Sequence, residues 1–208
     1  MAAERNGGND NSKTRDAILD ATESIMREQG YAAVSSRRVA EQAGLKSQLV
    51  HYHFGTMDDL FLALFQRAGA AYFERHVQAM TSDDPLRALW ELITDRTGME
   101  LIFEFMALSN HRKPIRAEMA RSNQRTRTLQ AALLTKALEQ RGITPDVCPA
   151  NVLSVLMSGV ALALVSENAI GNSIGHADTL SFVERLMQKT TPPRVAGKTG
   201  ARGRPRKR

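Results

Sequence analysis

The chain has 208 residues, 42% of them hydrophobic, enough for one large domain or two small ones with a real core. Its one cysteine, Cys148, excludes an internal disulfide and fits a reducing compartment, where it serves as a small hydrophobe. The formal net charge of +6 is unevenly placed: seven of the 28 basic residues lie in 190–208 without an acid, and the other 21 face 22 acids, so the body is near neutral and the tail strongly cationic.

No apolar run approaches the roughly 18 residues that span a bilayer. The opening MAAERNGGNDNSK lacks the apolar core of a signal peptide. The expectation is a cytoplasmic protein without membrane contact.

Residues 1–12 are polar and rich in Gly and Asn, which predicts a disordered N-terminal arm. From Lys13, the residues Ala17, Ile18, Ala21, Thr22, Ile25 and Met26 recur at helical spacing, and Gly30 takes a C-cap position. A second helix starts at Ser35 or Ser36, either of which can accept the first free backbone N–H groups. Val39, Ala40 and Ala43 form its buried stripe, and Gly44 ends it. A third short helix spans about Lys46 to Phe54, closing a first domain over 13–57. A long helix follows from Asp58 to about Met80, its first-turn carboxylates matching the helix dipole. Proline and glycine restarts then delimit helices over about 85–110 (broken within 94–98), 114–141, 149–170 and 179–189. No alternating strand pattern appears. The pattern predicts an all-α chain of about nine helices, a second domain over 58–189, and an unfolded tail over 190–208.

The stretch AEQAGLKSQLVHYHFG (40–55) carries helix-turn-helix spacing. Ala40 is small where two helices cross, Gly44 permits the turn's backbone angles, and Leu45 with Val50 fill the angle. His51 and His53 are two apart, so on a helix they point to different faces and do not share a metal. Ser47, Gln48, His51 and Tyr52 share a polar face suited to base edges and phosphates, or to plain solvation. His53 and Phe54 fit the core. No nucleophile–base pair, metal spacing or Gly-rich phosphate loop appears, so no enzyme, cofactor or metal site is expected.

These residues resemble the TetR (tetracycline repressor) family of bacterial transcription regulators. The resemblance runs from about Thr14 to Leu64, through Ile18–Glu23, Gly30-Tyr31, Ser35–Gly44, Leu49–Gly55 and Asp58-Asp59-Leu60. It implies a helix-turn-helix contacting double-stranded DNA through Ser35, Ser36, Arg37, Lys46, Ser47, Gln48, Leu49, His51, Tyr52 and His53. Two positions depart from the family's pattern: its usual recognition-helix tyrosine falls at His51, and its usual lysine at the next helix start falls at Met57. Both commonly contact phosphate in relatives, and the Met57 side chain has no donor.

The resemblance further implies a homodimer on a palindromic site, paired through about 149–170 and 179–189, and a small-molecule effector pocket. VLSVLMSGVALALV (152–165) is apolar almost all round, which suits either a dimer surface or a helix buried in its own subunit. Trp90, Phe103, Met106, Asn110, His111 and Asn123 are candidate pocket residues, though ordinary core explains the apolar ones equally well. Six basic residues against one acid over 112–127 read as a solvated face or as an entrance for an anionic, partly apolar effector. In the tail, Arg202-Gly203-Arg204-Pro205 resembles an AT-hook whose Arg202 and Arg204 enter an A·T-rich minor groove; a non-specific cationic tail is the alternative. The expected function is a ligand-released repressor, with an architectural DNA-binding protein lacking an effector as its rival.

Overall fold

The computed structural model describes residues 3–190, and every regular element among them is helical. The order is α1 (Ala3–Gln29), a 3-10 turn (Tyr31–Ala33), α2 (Ser36–Gln42), α3 (Ser47–Phe54), α4 (Met57–Met80), α5 (Pro85–Ile93), α6 (Arg96–Ser109), α7 (Lys113–Glu139), α8 (Ala150–Ala169) and α9 (His176–Thr190). The all-α expectation of about nine helices therefore holds among the described residues. The tail residues Arg202 and Arg204 lie outside them.

Two features differ from expectation. α1 begins at Ala3, so residues 3–12 are helical where a disordered arm was expected. The packed half of α1, with Ile18, Leu19, Ile25 and Met26 buried, supplies the nucleus, and adding turns to an existing helix costs little. α8, at 20 residues, is long and apolar enough to cross a membrane by length and composition, contrary to the sequence reading. Its Ser154 and Ser158 accept hydrogen bonds from Arg127 (2.8 and 3.2 Å), which seats one side of it on α7.

Caps set the helix starts near the turn motif. Ser35 Oγ accepts from the Arg38 N–H, and Thr56 with Asp59 forms a reciprocal capping box at the head of α4.

The interior is two apolar clusters rather than one. The first joins α1, α2, α3 and the first half of α4 to Leu101, Phe105 and Leu108 of α6 and Ile115 of α7. The second joins Ala79 at the end of α4 to Leu89 and Trp90 of α5, Leu133 and Leu134 of α7, Ala161 of α8 and Met187 of α9. The first cluster extends past residue 57, because α6 buries its apolar side against the head. Polar ties reinforce that seam. Glu104 Oε2 accepts from the Tyr31 N–H at 2.6 Å, and Arg112 pairs with Asp58. Gly30 sits at φ 80°, ψ 162°, a region closed to L side chains, directly beside the Glu104 carboxylate.

Candidate nucleic-acid interface

α2 and α3 form the predicted turn. Val39, Ala40 and Val50 are buried at the crossing. Gly44 holds φ 67°, where an L side chain is strained, and the Leu45 N–H closes the turn on the Ala40 carbonyl at 2.8 Å. Phe54 is buried, with the Arg15 guanidinium 4.9 Å from its ring centroid.

The predicted contact residues fall on one side of this scaffold. Arg37, Lys46, Ser47, Gln48, His51 and Tyr52 are exposed, Tyr52 retaining 75% of its surface. Tyr52 is therefore no part of the core. Ser35 is exposed and engaged as the α2 cap, while Ser36, Leu49 and His53 are half-buried. His51 bonds to the end of its own helix, its Nδ1 lying 3.1 Å from the Gly55 carbonyl. A carbonyl only accepts, so Nδ1 carries a proton there. Met57 is half-buried against the first apolar cluster, which explains an apolar residue at the start of α4.

Most of the basic run over 112–127 has partners within the chain. Arg112 pairs with Asp58. Arg116 donates to the Ser109 and Asn110 carbonyls at the end of α6. Arg121 pairs with Glu118, Arg125 lies 4.9 Å from the Phe73 ring centroid, and Arg127 holds Ser154 and Ser158. Only Arg112 and Arg121 meet carboxylates; Arg116, Arg125 and Arg127 engage neutral groups and keep their charge.

Nor do the expected pocket residues converge. Trp90 is buried in the second cluster, Phe103 is half-buried, and Met106, Asn110, His111 and Asn123 are exposed. They miss one another because α6 turns its other side to the core. A cavity of about 380 Å³ lies between α4 and α7, with Phe65, Gly69, Phe73, Glu118, Ser122 and Arg125 among its walls. None of the six expected residues lines it. Gly69 and Ala70 opposite Ser122 were the available sequence signal, since small residues in mid-helix leave room. Among the described residues no cluster of His, Cys, Asp or Glu suits a metal ion.

The exposed apolar surface is concentrated on the last two helices. Val152, Val155 and Leu156 of α8 and Leu180, Phe182 and Leu186 of α9 all remain open to solvent, Leu156 at 60%. Gly159 and Ala163 continue the α8 stripe. The alternative of a helix buried within its own subunit does not hold for this side of α8.

Comparison with known proteins agrees with this geometry. Residues 18–64 match the family model described as bacterial regulatory proteins, tetR family. The HTH-type transcriptional repressor AcnR of Corynebacterium glutamicum is 23% identical over 186 residues, covering 88% of this chain and 96% of that protein. A TetR transcription regulator from Haloarcula marismortui superposes with a TM-score of 0.69 at 17% identity, over 86% of this chain and 96% of that one. A structure from Saccharomonospora viridis, solved in complex with choline, gives 0.70 at 22% identity over 86% and 94%.

Proposed function

We propose that this chain, whose DNA-binding domain belongs to the tetR family of bacterial regulatory proteins, is a homodimeric repressor released from a palindromic operator by a small molecule. The observation that carries the reading is the exposed face of α3, with Gln48, His51 and Tyr52 held out from a scaffold whose own core is closed beneath them. A helix so presented enters the major groove, where amide and aromatic hydrogen-bonding groups meet base edges. Lys46, Ser47 and Arg37 flank it for phosphate contact, with Ser35, Ser36, Leu49 and His53 at its margin.

The apolar stripe on α8 and α9 supports pairing of two copies, the second copy covering surface that a monomer leaves in water. The cavity between α4 and α7 is the effector site in this reading. Its walls mix phenyl rings with Glu118, Ser122 and Arg125, which suits a compact molecule with both apolar and polar parts better than the anionic one expected from the basic run. The complex of the structural neighbour with choline supports a small organic effector. The role is regulatory rather than catalytic, and its place is the cytoplasm, with the DNA.

Selection of bound duplexes from a random library by the full-length chain tests this. A two-fold symmetric site is the expected result. Recovery of A·T-rich duplexes without symmetry replaces the repressor with the architectural protein and assigns binding to the tail.

A further inference from the structure

Inside the body, α4, α7 and α8 are joined by a chain of polar side chains that neither the DNA face nor the dimer face uses. Arg127 Nη1 lies 2.8 Å from Ser154 Oγ. Ser154 Oγ lies 2.8 Å from Gln130 Oε1, and Gln130 Nε2 lies 3.0 Å from His76 Nε2. His76 Nδ1 lies 3.0 Å from the Tyr72 carbonyl oxygen. His76, Gln130 and Ser154 are buried, His76 completely.

The ends of the chain fix the direction of every proton. A guanidinium only donates, so Ser154 accepts from Arg127 and gives its own proton to Gln130. That sets the Gln130 carbonyl on the Ser154 side and its amide N–H toward His76. His76 Nε2 must then be an acceptor. At the far end the Tyr72 carbonyl only accepts, so Nδ1 carries the proton. Neutral imidazole alone satisfies the chain. A proton on Nε2 puts two donors face to face, and turning the Gln130 amide to relieve them takes away the acceptor for the Ser154 hydroxyl.

The surroundings favour the neutral ring. Burial holds His76 below the ordinary histidine range, and the Arg75 charge adds to that, against the opposing bond to the Tyr72 carbonyl. Arg75 on α4 is itself paired with Asp95, Arg127 faces from α7, and α8 contributes only the hydroxyls of Ser154 and Ser158. The Tyr72 ring packs edge-on against His76 at 4.5 Å, its phenol kept protonated by burial.

We propose that this chain is an acid-released latch: with His76 neutral it holds α8 in register with α4, and a proton on His76 Nε2 lets that register go. α4 runs on from the DNA-reading head, and α8 bears the apolar face. The latch stands on the fold, and its effect on DNA binding rests on the function proposed above. Because the folded state resists the proton, its stabilisation is complete above the ordinary value of 6.5 and is lost as pH falls below it. The folding equilibrium constant then drops by up to about tenfold per pH unit.

The test is histidine NMR and chemical unfolding of the full chain as wild type, His76→Gln and Gln130→Glu between about pH 7 and pH 5. Gln at 76 accepts from Gln130 at every pH. Glu at 130 accepts from a protonated His76, so it keeps the latch closed in acid. One of the five histidines is expected to titrate below the rest, to vanish in His76→Gln, and to titrate above them in Gln130→Glu. The extra acid sensitivity of wild type is expected to disappear in both variants. Ordinary titration of His76, or equal pH slopes in wild type and the variants, overturns the latch. If His76→Gln does not fold, wild type against Gln130→Glu decides the same question. Affinity for a duplex selected by the protein adds the functional arm, with His51 and His53 common to wild type and Gln130→Glu. Wild type is expected to lose affinity in acid relative to Gln130→Glu, and parallel loss overturns the coupling. Failure to select any palindrome defeats the proposed function, while the NMR arm still judges the latch.

Discussion

Leu156→Ala is expected to weaken the homodimer without harming the fold. Leu156 keeps 60% of its surface in solvent in the single chain. Full burial of a leucine is worth about 1.5–3 kcal/mol, so covering the open part contributes about 1–2 kcal/mol per copy. Two copies meet in a two-fold interface. Truncation to alanine leaves a little of the contact, so the expected loss is about 2–3 kcal/mol per dimer, or roughly 30- to 150-fold in dimer Kd. Because so little of the side chain packs within its own subunit, the monomer's unfolding free energy is expected to move by less than about 1 kcal/mol. Sedimentation velocity over a concentration series reads the first quantity and urea unfolding of the dilute monomer reads the second. A wild-type chain that stays monomeric at all concentrations, or a dimer indifferent to Leu156→Ala, refutes the reasoning, because both outcomes mean that nothing covers this face in solution.

Tyr52→Ala is expected to cut DNA affinity by about 1–3 kcal/mol while leaving stability unchanged, read by fluorescence binding and thermal unfolding; an unaffected affinity removes Tyr52 from the interface. Met57→Lys adds a cation beside the duplex, and the slope of log K against log salt is expected to steepen by about one per protomer, with an unchanged slope showing that no phosphate lies within reach. Thr56→Ala removes the capping box of α4 and is expected to lower stability by about 1 kcal/mol in urea titration. Ser154→Ala leaves Gln130 without its donor and is expected to cost about 1–3 kcal/mol; a neutral result means that the buried amide finds another partner.

The reading head was legible because its chemistry is local. Ala40, Gly44, Leu45 and Val50 lie within eleven residues, and each answers a constraint set by its neighbours in the chain. The face of α3 followed from helical spacing alone. The interior of the body was not legible, because it depends on which side of each helix meets another helix far away in sequence. Phe103, Met106 and Trp90 look alike in a list of large apolar residues, yet Trp90 is buried, Phe103 half-buried and Met106 exposed. The partners of the arginines of 112–127 were hidden for the same reason: Asp58, Phe73 and Ser154 are about 27 to 54 residues away. His51 carried a second lesson. Its sequence position matched a phosphate-contacting tyrosine, but the bond to Gly55 commits one ring nitrogen to the helix end, so the neutral ring offers its other nitrogen only as an acceptor.

The two apolar clusters give the chain a mechanical character that a boundary at residue 57 conceals. Leu60 to Phe65 of α4 pack with the head and α6, whereas Ala79 packs with α5, α8 and α9. Between these clusters α4 and α7 run side by side through Gly69 and Ser122, beside the cavity described above. Among the described residues, α4 and α7 are the long helices that contribute to both clusters. A molecule seated there acts as a shim between two blocks. In the function proposed above it need not touch the recognition helix at all, since filling the space between the blocks would alter the spacing of the two heads of a dimer.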